Sequence, residues 1–137
     1  IFYDVGANYG FYTFLAEEII KEGEIHSFEP NLFVFNYLRK NSTKLNSTNP
    51  KIFLNNYALS NKEGEIILSI PLTKTQIISG RATICEQMVN YLQNYTFEQK
   101  ISFATTLDNY VKKYTPPTIL KIDVEGAESL VLEGAKK

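Results

Sequence analysis

The chain has 137 residues, 44% of them hydrophobic and 21% charged, with a formal net charge of -1 and a sequence pI of about 5.9. That composition suits one soluble globular domain, residues 1–137, with its own core. It supplies no basic stripe for nucleic acid, and its apolar runs are too short and interrupted to span a membrane. The single cysteine, Cys85, has no partner for an internal disulfide and no Cys or His neighbours at metal-ligand spacing, which fits a reducing, cytoplasmic setting.

Ile1 to Val5 is short, apolar and β-prone, so it predicts a buried strand ending at Gly6. Phe11, Phe14, Leu15, Ile19 and Ile20 then recur at helical spacing up to Gly23. Glu24 to Glu29 predicts a second strand. Pro30 suits the first turn of the next helix, which carries Phe33, Phe35, Tyr37 and Leu38 and fades in the polar stretch 41–49. Lys51 to Leu59 reads as a third strand. The turn signal Asn61-Lys62-Glu63-Gly64 predicts that Glu65 to Ile70 folds back as a hairpin. Residues 71–99 show no clear period and read as a flexible surface excursion. Lys100 to Thr105 predicts a strand, Thr106 or Asp108 the start of a short helix, Ile119 to Val124 a buried strand, and Glu128 to Lys137 the start of its helix.

Strands alternating with helices predict a doubly wound α/β fold with a mostly parallel sheet. The sequence opens inside one apolar run and stops inside a helical pattern, so we expect a piece of a longer chain, with the place of any leader missing. Such a piece would expose a strand edge and self-associate or be marginally stable.

Three stretches carry chemistry. Asp4-Val5-Gly6-Ala7-Asn8-Tyr9-Gly10 joins the first strand to the first helix, where open α/β sheets bind ligands. It lacks the Gly-x4-Gly-Lys-Ser/Thr of a phosphate loop. Asn8 also stands where a dinucleotide loop needs its middle glycine, so pyrophosphate loses its close approach. Asp4 is an acceptor suited to an ammonium group. A nucleoside without phosphates but with an amino-acid tail fits this loop, which describes S-adenosylmethionine. Glu29, next to Pro30 at the end of the second strand, is placed to accept both ribose hydroxyls. The third stretch, Leu120 to Glu128, gathers Asp123, Glu125 and Glu128 at the same rim. The competing reading of Glu128 is a helix N-terminal acid that offsets the macrodipole. His26 reads as a packed strand residue rather than a base.

The pieces DVGANYGFYT (4–13), HSFEP (26–30), NNYALSNKEGEI (55–66), TTLDNYV (105–111) and KIDVEGAESLVLEGA (121–135), in that order, resemble the FkbM-type methyltransferases. The resemblance implies a Rossmann-like class I methyltransferase fold, with the later strands absent after Lys137, and methyl transfer to an oxygen of a sugar or secondary metabolite. By motif, it implies that Asp4, Gly6, Ala7, Asn8 and Gly10 line the methionine side of the cofactor. Glu29 with Pro30 would hold the ribose, Ala58 and Leu59 would flank the adenine, and Asp123 with Glu125 would face the transferring methyl group. Asp123 could instead be one ligand of a Mg²⁺, but the other ligands would have to lie beyond Lys137, so no metal site is assigned. The rivals are a nicotinamide-dependent oxidoreductase, disfavoured by Asn8, and a truncated, non-catalytic binding module.

Overall fold

The computed structural model describes residues 1–43, 49–73 and 78–137. Four strands form a parallel sheet: β1 (Phe2–Val5), β2 (Glu24–Phe28), β3 (Lys51–Asn55) and a strand from late in the chain, Ile119–Ile122. Their order is β3-β2-β1 followed by the late strand. Val5 lies level with Phe28 on one side and Ile122 on the other, and Phe28 is level with Asn55. The carboxyl ends of all four strands therefore reach one rim, and the loops that leave them meet there.

Alternation along β1 sends its side chains to both faces. Tyr3 and Val5 join Phe28, Leu59, Leu107, Tyr110 and Val131 in the main core. Asp4 points the other way, toward α1 (Phe11–Ile19), whose Thr13 hydroxyl donates to Asp4 Oδ2 at 2.7 Å. On that face α2 (Leu32–Ser42) brings Phe35 and Leu38 against Ala7, with Phe14 packed beside them. Helices thus cover both faces, and the architecture is α/β and Rossmann-like, as the strand–helix alternation predicts.

Several local expectations are corrected. Asn31, not Pro30, opens α2, and its side chain accepts the Phe33 N–H at 3.1 Å. The expected third strand breaks after β3. Asn56 turns away to donate to Glu29 O at 2.8 Å, and the chain resumes as β4 (Ala58–Leu59) in a second sheet. The hairpin partner also differs. β5 (Gly64–Leu72) pairs antiparallel with β6 (Thr96–Thr105), and β6 lies between β4 and β5. The turn at 61–64 was legible, but β5 bonds a strand far along the chain instead of the one just left.

The polar residues Thr96, Glu98 and Gln99 hide the first half of β6, so the expected excursion 71–99 is strand at both ends. Between them run a 3-10 turn (Ser79–Arg81) and α3 (Glu86–Tyr91); its residues 74–77, like residues 44–48 of the fading α2, lie outside the described residues. Thr106 caps α4 (Leu107–Tyr110) by accepting the Asn109 N–H at 3.1 Å. The late parallel strand is β7. The last helix, α5 (Glu128–Glu133), stops short of Lys137 because Gly134 turns the chain. Asp108 then accepts the backbone N–H groups of Lys136 and Lys137 at 3.2 and 3.0 Å.

Candidate functional site

A cavity of about 350 Å³ opens at the carboxyl rim of the parallel sheet, a volume at the small end for ligand sites. Its floor is the loop after β1. The N–H groups of Gly6 and Ala7 both donate to Phe28 O, at 3.0 and 2.9 Å, which holds the loop against the end of β2. Gly6 has a φ of 78°, and a Cβ there would lie 1.9 Å from Asp123 O, so no other residue fits. Asn8 and Glu125 are non-glycine residues in the left-handed region, with φ of 52° and 53°. Strain of this kind concentrates at functional sites.

Gly6, Ala7 and Asn8 line the cavity, as do Glu29 and Pro30 from the end of β2, Ala58 and Leu59 from β4, and Asp123 and Glu125 after β7. Glu29 is buried. Its Oε2 accepts the Asn8 N–H at 3.0 Å and its Oε1 the Asn31 N–H at 2.8 Å. Burial pushes its carboxyl up to about 7, against the opposing pull of those two N–H groups and of Lys121.

Two expected residues lie elsewhere. Gly10 does not line the cavity: it seats α1 against α2, where a Cβ would strike Phe14 and Leu38. Asp4 does not line it either. It is fully buried, and the ammonium it meets is the chain's own, with Lys121 Nζ 2.9 Å from Oδ1. The structure thus sets Asp4 behind the cavity lining, paired with Lys121.

Sequence reasoning missed Lys121. Its Nζ donates to Gly6 O at 2.9 Å, lies 4.0 Å from Asp123, and sits 5.0 Å from the centroid of the Tyr12 ring. The signal was present: a lysine inside the apolar strand Ile119–Ile122 needs a partner, and the sheet register sets it opposite Asp4. The segment 80–84, dismissed as surface excursion, also lines the cavity.

Among the acids after β7, Glu128 serves the backbone. Its Oε1 accepts the N–H groups of Val124 and Gly126 at 3.1 and 3.2 Å. Burial opposes ionisation of Glu128, but backbone N–H groups, its own included, outweigh it and hold the carboxyl below its ordinary range. Asp123, by contrast, has an exposed side chain facing the cavity.

His26 is a core residue. It stacks on Phe53 with ring centroids 4.5 Å apart. The network assigns its tautomer: Asn55 Nδ2 donates to the Tyr110 hydroxyl, that hydroxyl donates to Nδ1 at 2.7 Å, and Nε2–H donates to Glu24 at 3.3 Å. Burial lowers its pKa despite Glu24.

No group of three or more His, Cys, Asp or Glu side chains among the described residues is placed to hold a metal ion. No described helix is long and apolar enough to cross a membrane.

A parallel α/β sheet with a tight glycine loop, a buried carboxylate after its second strand and a ligand-sized cavity between them defines a Rossmann-like protein with one site at the carboxyl rim. The chain belongs to the FkbM methyltransferase family: the model of the methyltransferase FkbM domain matches residues 4–137. The crystal structure of methyltransferase FkbM from Methylobacillus flagellatus KT superposes with a TM-score of 0.60 at 16% identity, a likeness that speaks for the fold. The superposition covers 98% of this chain, which spans 28% of that protein's length. No curated protein matches the sequence.

Proposed function

We propose that the chain forms the donor-binding part of an S-adenosylmethionine-dependent methyltransferase that methylates a hydroxyl of a sugar or secondary metabolite. The observation that carries this reading is Glu29. Each of its carboxylate oxygens takes one backbone N–H and keeps a further lone pair, and Glu29 lines the cavity, so we assign those lone pairs to two ribose hydroxyls. The residues present fit such a ligand. Ala58 and Leu59 offer apolar contact for a base, and Asn8 occupies the position that pyrophosphate would need as glycine. The ligand's amine must be met at the rim by other acceptors, because Asp4 is committed to Lys121.

When bound, the cofactor supplies a methyl group on a sulfonium, already a good leaving group. The chain's task is then alignment, which can contribute on the order of 7–11 kcal/mol, and removal of the acceptor's proton. Asp123 is the group we assign to that proton, because its carboxylate is exposed to the cavity. General base catalysis of this kind typically contributes about 10²–10⁴-fold. Glu125, held in its left-handed turn by the bond from Thr83 Oγ1 to Glu125 O (2.8 Å), flanks the acceptor.

Calorimetric titration with S-adenosylhomocysteine, run beside NAD, tests the reading. We expect saturable binding of the former alone, and its loss in Glu29→Ala. Removing two hydrogen bonds to a charged group, at about 1.5–3 kcal/mol each, predicts a loss of about 10²–10⁴-fold. Binding of NAD alone would favour an oxidoreductase and sink the proposal.

A further inference from the structure

We propose that Ala82 and Ile84, held by a segment anchored at Gly80 and Thr83 to Asn8 and Glu125, wall the nucleoside end of the cavity, with Ala82 as the side chain that limits the size of base admitted. The inference rests on the S-adenosyl reading of the site and adds to it an element that neither the sequence motifs nor the family match singles out.

Gly80, Ala82 and Ile84 all line the cavity. Gly80 lies in the 3-10 turn; from Ala82 the backbone is extended (φ -65°, ψ 134°), where alternate residues share a face, so Ala82 and Ile84 point the same way. Thr83, between the last two, is 1% exposed and fixes the segment in place. Its N–H donates to Ser69 O at 2.9 Å, and its carbonyl accepts the Ser69 N–H at 2.8 Å. Its hydroxyl donates to Glu125 O at 2.8 Å. Asn8 Nδ2 reaches from the loop after β1 to Gly80 O at 3.2 Å. The segment is thus bonded to β5, to the turn after β7 and to the loop after β1.

Its place on the nucleoside side follows from its neighbours. Ile84 packs against the cluster of Ala58, Ile66 and Ala104, so it continues the wall begun by β4. Pro30, Leu68 and Ala82 complete an apolar lining there. The charged side chains Lys121 and Asp123 enter from β7, which lies beyond β1 from β2 and Glu29. A base is apolar on its faces and belongs with the first group; an amino-acid tail belongs with the second. Ala82 carries a single methyl into a cavity of about 350 Å³, so any larger side chain subtracts directly from the room for the ring.

The test is a size series at one position, read by calorimetry with two probes: S-adenosylhomocysteine and 5′-methylthioadenosine, which keeps the nucleoside but lacks the tail. Ala82→Trp should weaken both probes at least ~30-fold, Ala82→Leu should fall between it and the wild type, and the exposed neighbour Arg81→Ala should change neither. Circular dichroism and melting check that each variant is folded; if Ala82→Trp melts early, Ala82→Leu carries the comparison. Loss confined to S-adenosylhomocysteine would put Ala82 at the tail end and overturn the inference. So would a folded Ala82→Trp that binds both probes normally. Failure of the wild type to bind either probe would overturn the S-adenosyl reading, and this inference with it.

Discussion

Lys121 and Asp4 face each other across the β1–β7 register, with the ammonium 2.9 Å from the carboxylate and Asp4 wholly buried. Among the described residues Oδ1 has no partner besides the Lys121 ammonium, whose charge is what offsets its burial. Lys121→Met should therefore cost about 3–5 kcal/mol of folding stability, the range for stranding one charge of a buried pair. The double variant Asp4→Asn/Lys121→Met should recover much of that loss. Urea denaturation of the three proteins decides it, and equal destabilisation of the single and double variants would show that the pair is not the cause.

On the proposed function, Glu29 would make ligand binding depend on pH. Its ionised form is the one that accepts two hydroxyl hydrogens, and burial has raised its carboxyl to about 7. Affinity for S-adenosylhomocysteine should rise as pH climbs through about 7, with proton release on binding just below it. Stability runs the other way. The folded state holds this proton more tightly than the unfolded chain, so the associated stability is full below the ordinary carboxyl value of 4.5 and is lost as pH rises through about 7. Glu29→Gln should flatten both profiles. Calorimetry in buffers of different ionisation enthalpy reads the first, and melting temperature against pH the second.

Asp123 separates chemistry from binding. Asp123→Ala should lower methyl transfer by about 10²–10⁴-fold while affinity for S-adenosylhomocysteine stays within a few-fold. A parallel collapse of affinity in the titration would make Asp123 a ligand-holding residue instead.

Gly6→Ala should be among the most damaging single-atom additions in the chain. The new Cβ meets the Asp123 carbonyl at 1.9 Å, and the φ of 78° is itself unfavourable by about 1–2 kcal/mol for an L side chain. We expect a loss well above the ~1 kcal/mol typical of point substitutions, together with loss of S-adenosylhomocysteine binding. Denaturant midpoints and titration would show it.

Where sequence reading succeeded, the cause was local. β1, β2 and β7 are short strand-forming runs bounded by turn chemistry, and Gly6 and Glu29 fall at the ends of the first two whatever the rest of the chain does; β7, expected to be buried, lies at the edge of the described sheet, with Ile119 exposed and the rest half-buried. The failures depend on partners far away in sequence. Nothing near Glu65 says that β5 will bond β6, because that choice is made by residues from Thr96 onward. Asp4 looked free for a ligand because its cation stands at position 121. Ala82 and Ile84 carried no motif at all: they matter through the Ser69–Thr83 bridge that brings them to the cavity. For Glu128, helix capping and catalysis gave the same pattern, and only the bonds to Val124 and Gly126 separate them.

The contact that leaves Gly6 no room for a side chain also joins the two halves of the site into a single mechanical part. The loop that would cradle the donor rests on the Asp123 carbonyl, Lys121 clasps Gly6 O, and Asp123 N–H bonds Val5 O at 3.0 Å. The donor loop and the backbone of Asp123 are thus tied by direct contacts. On the proposed function, a change of acceptor would fall to the exposed rings at the mouth, Tyr9 and Phe11, since the Tyr12 ring lies against Lys121 and so belongs to that joint.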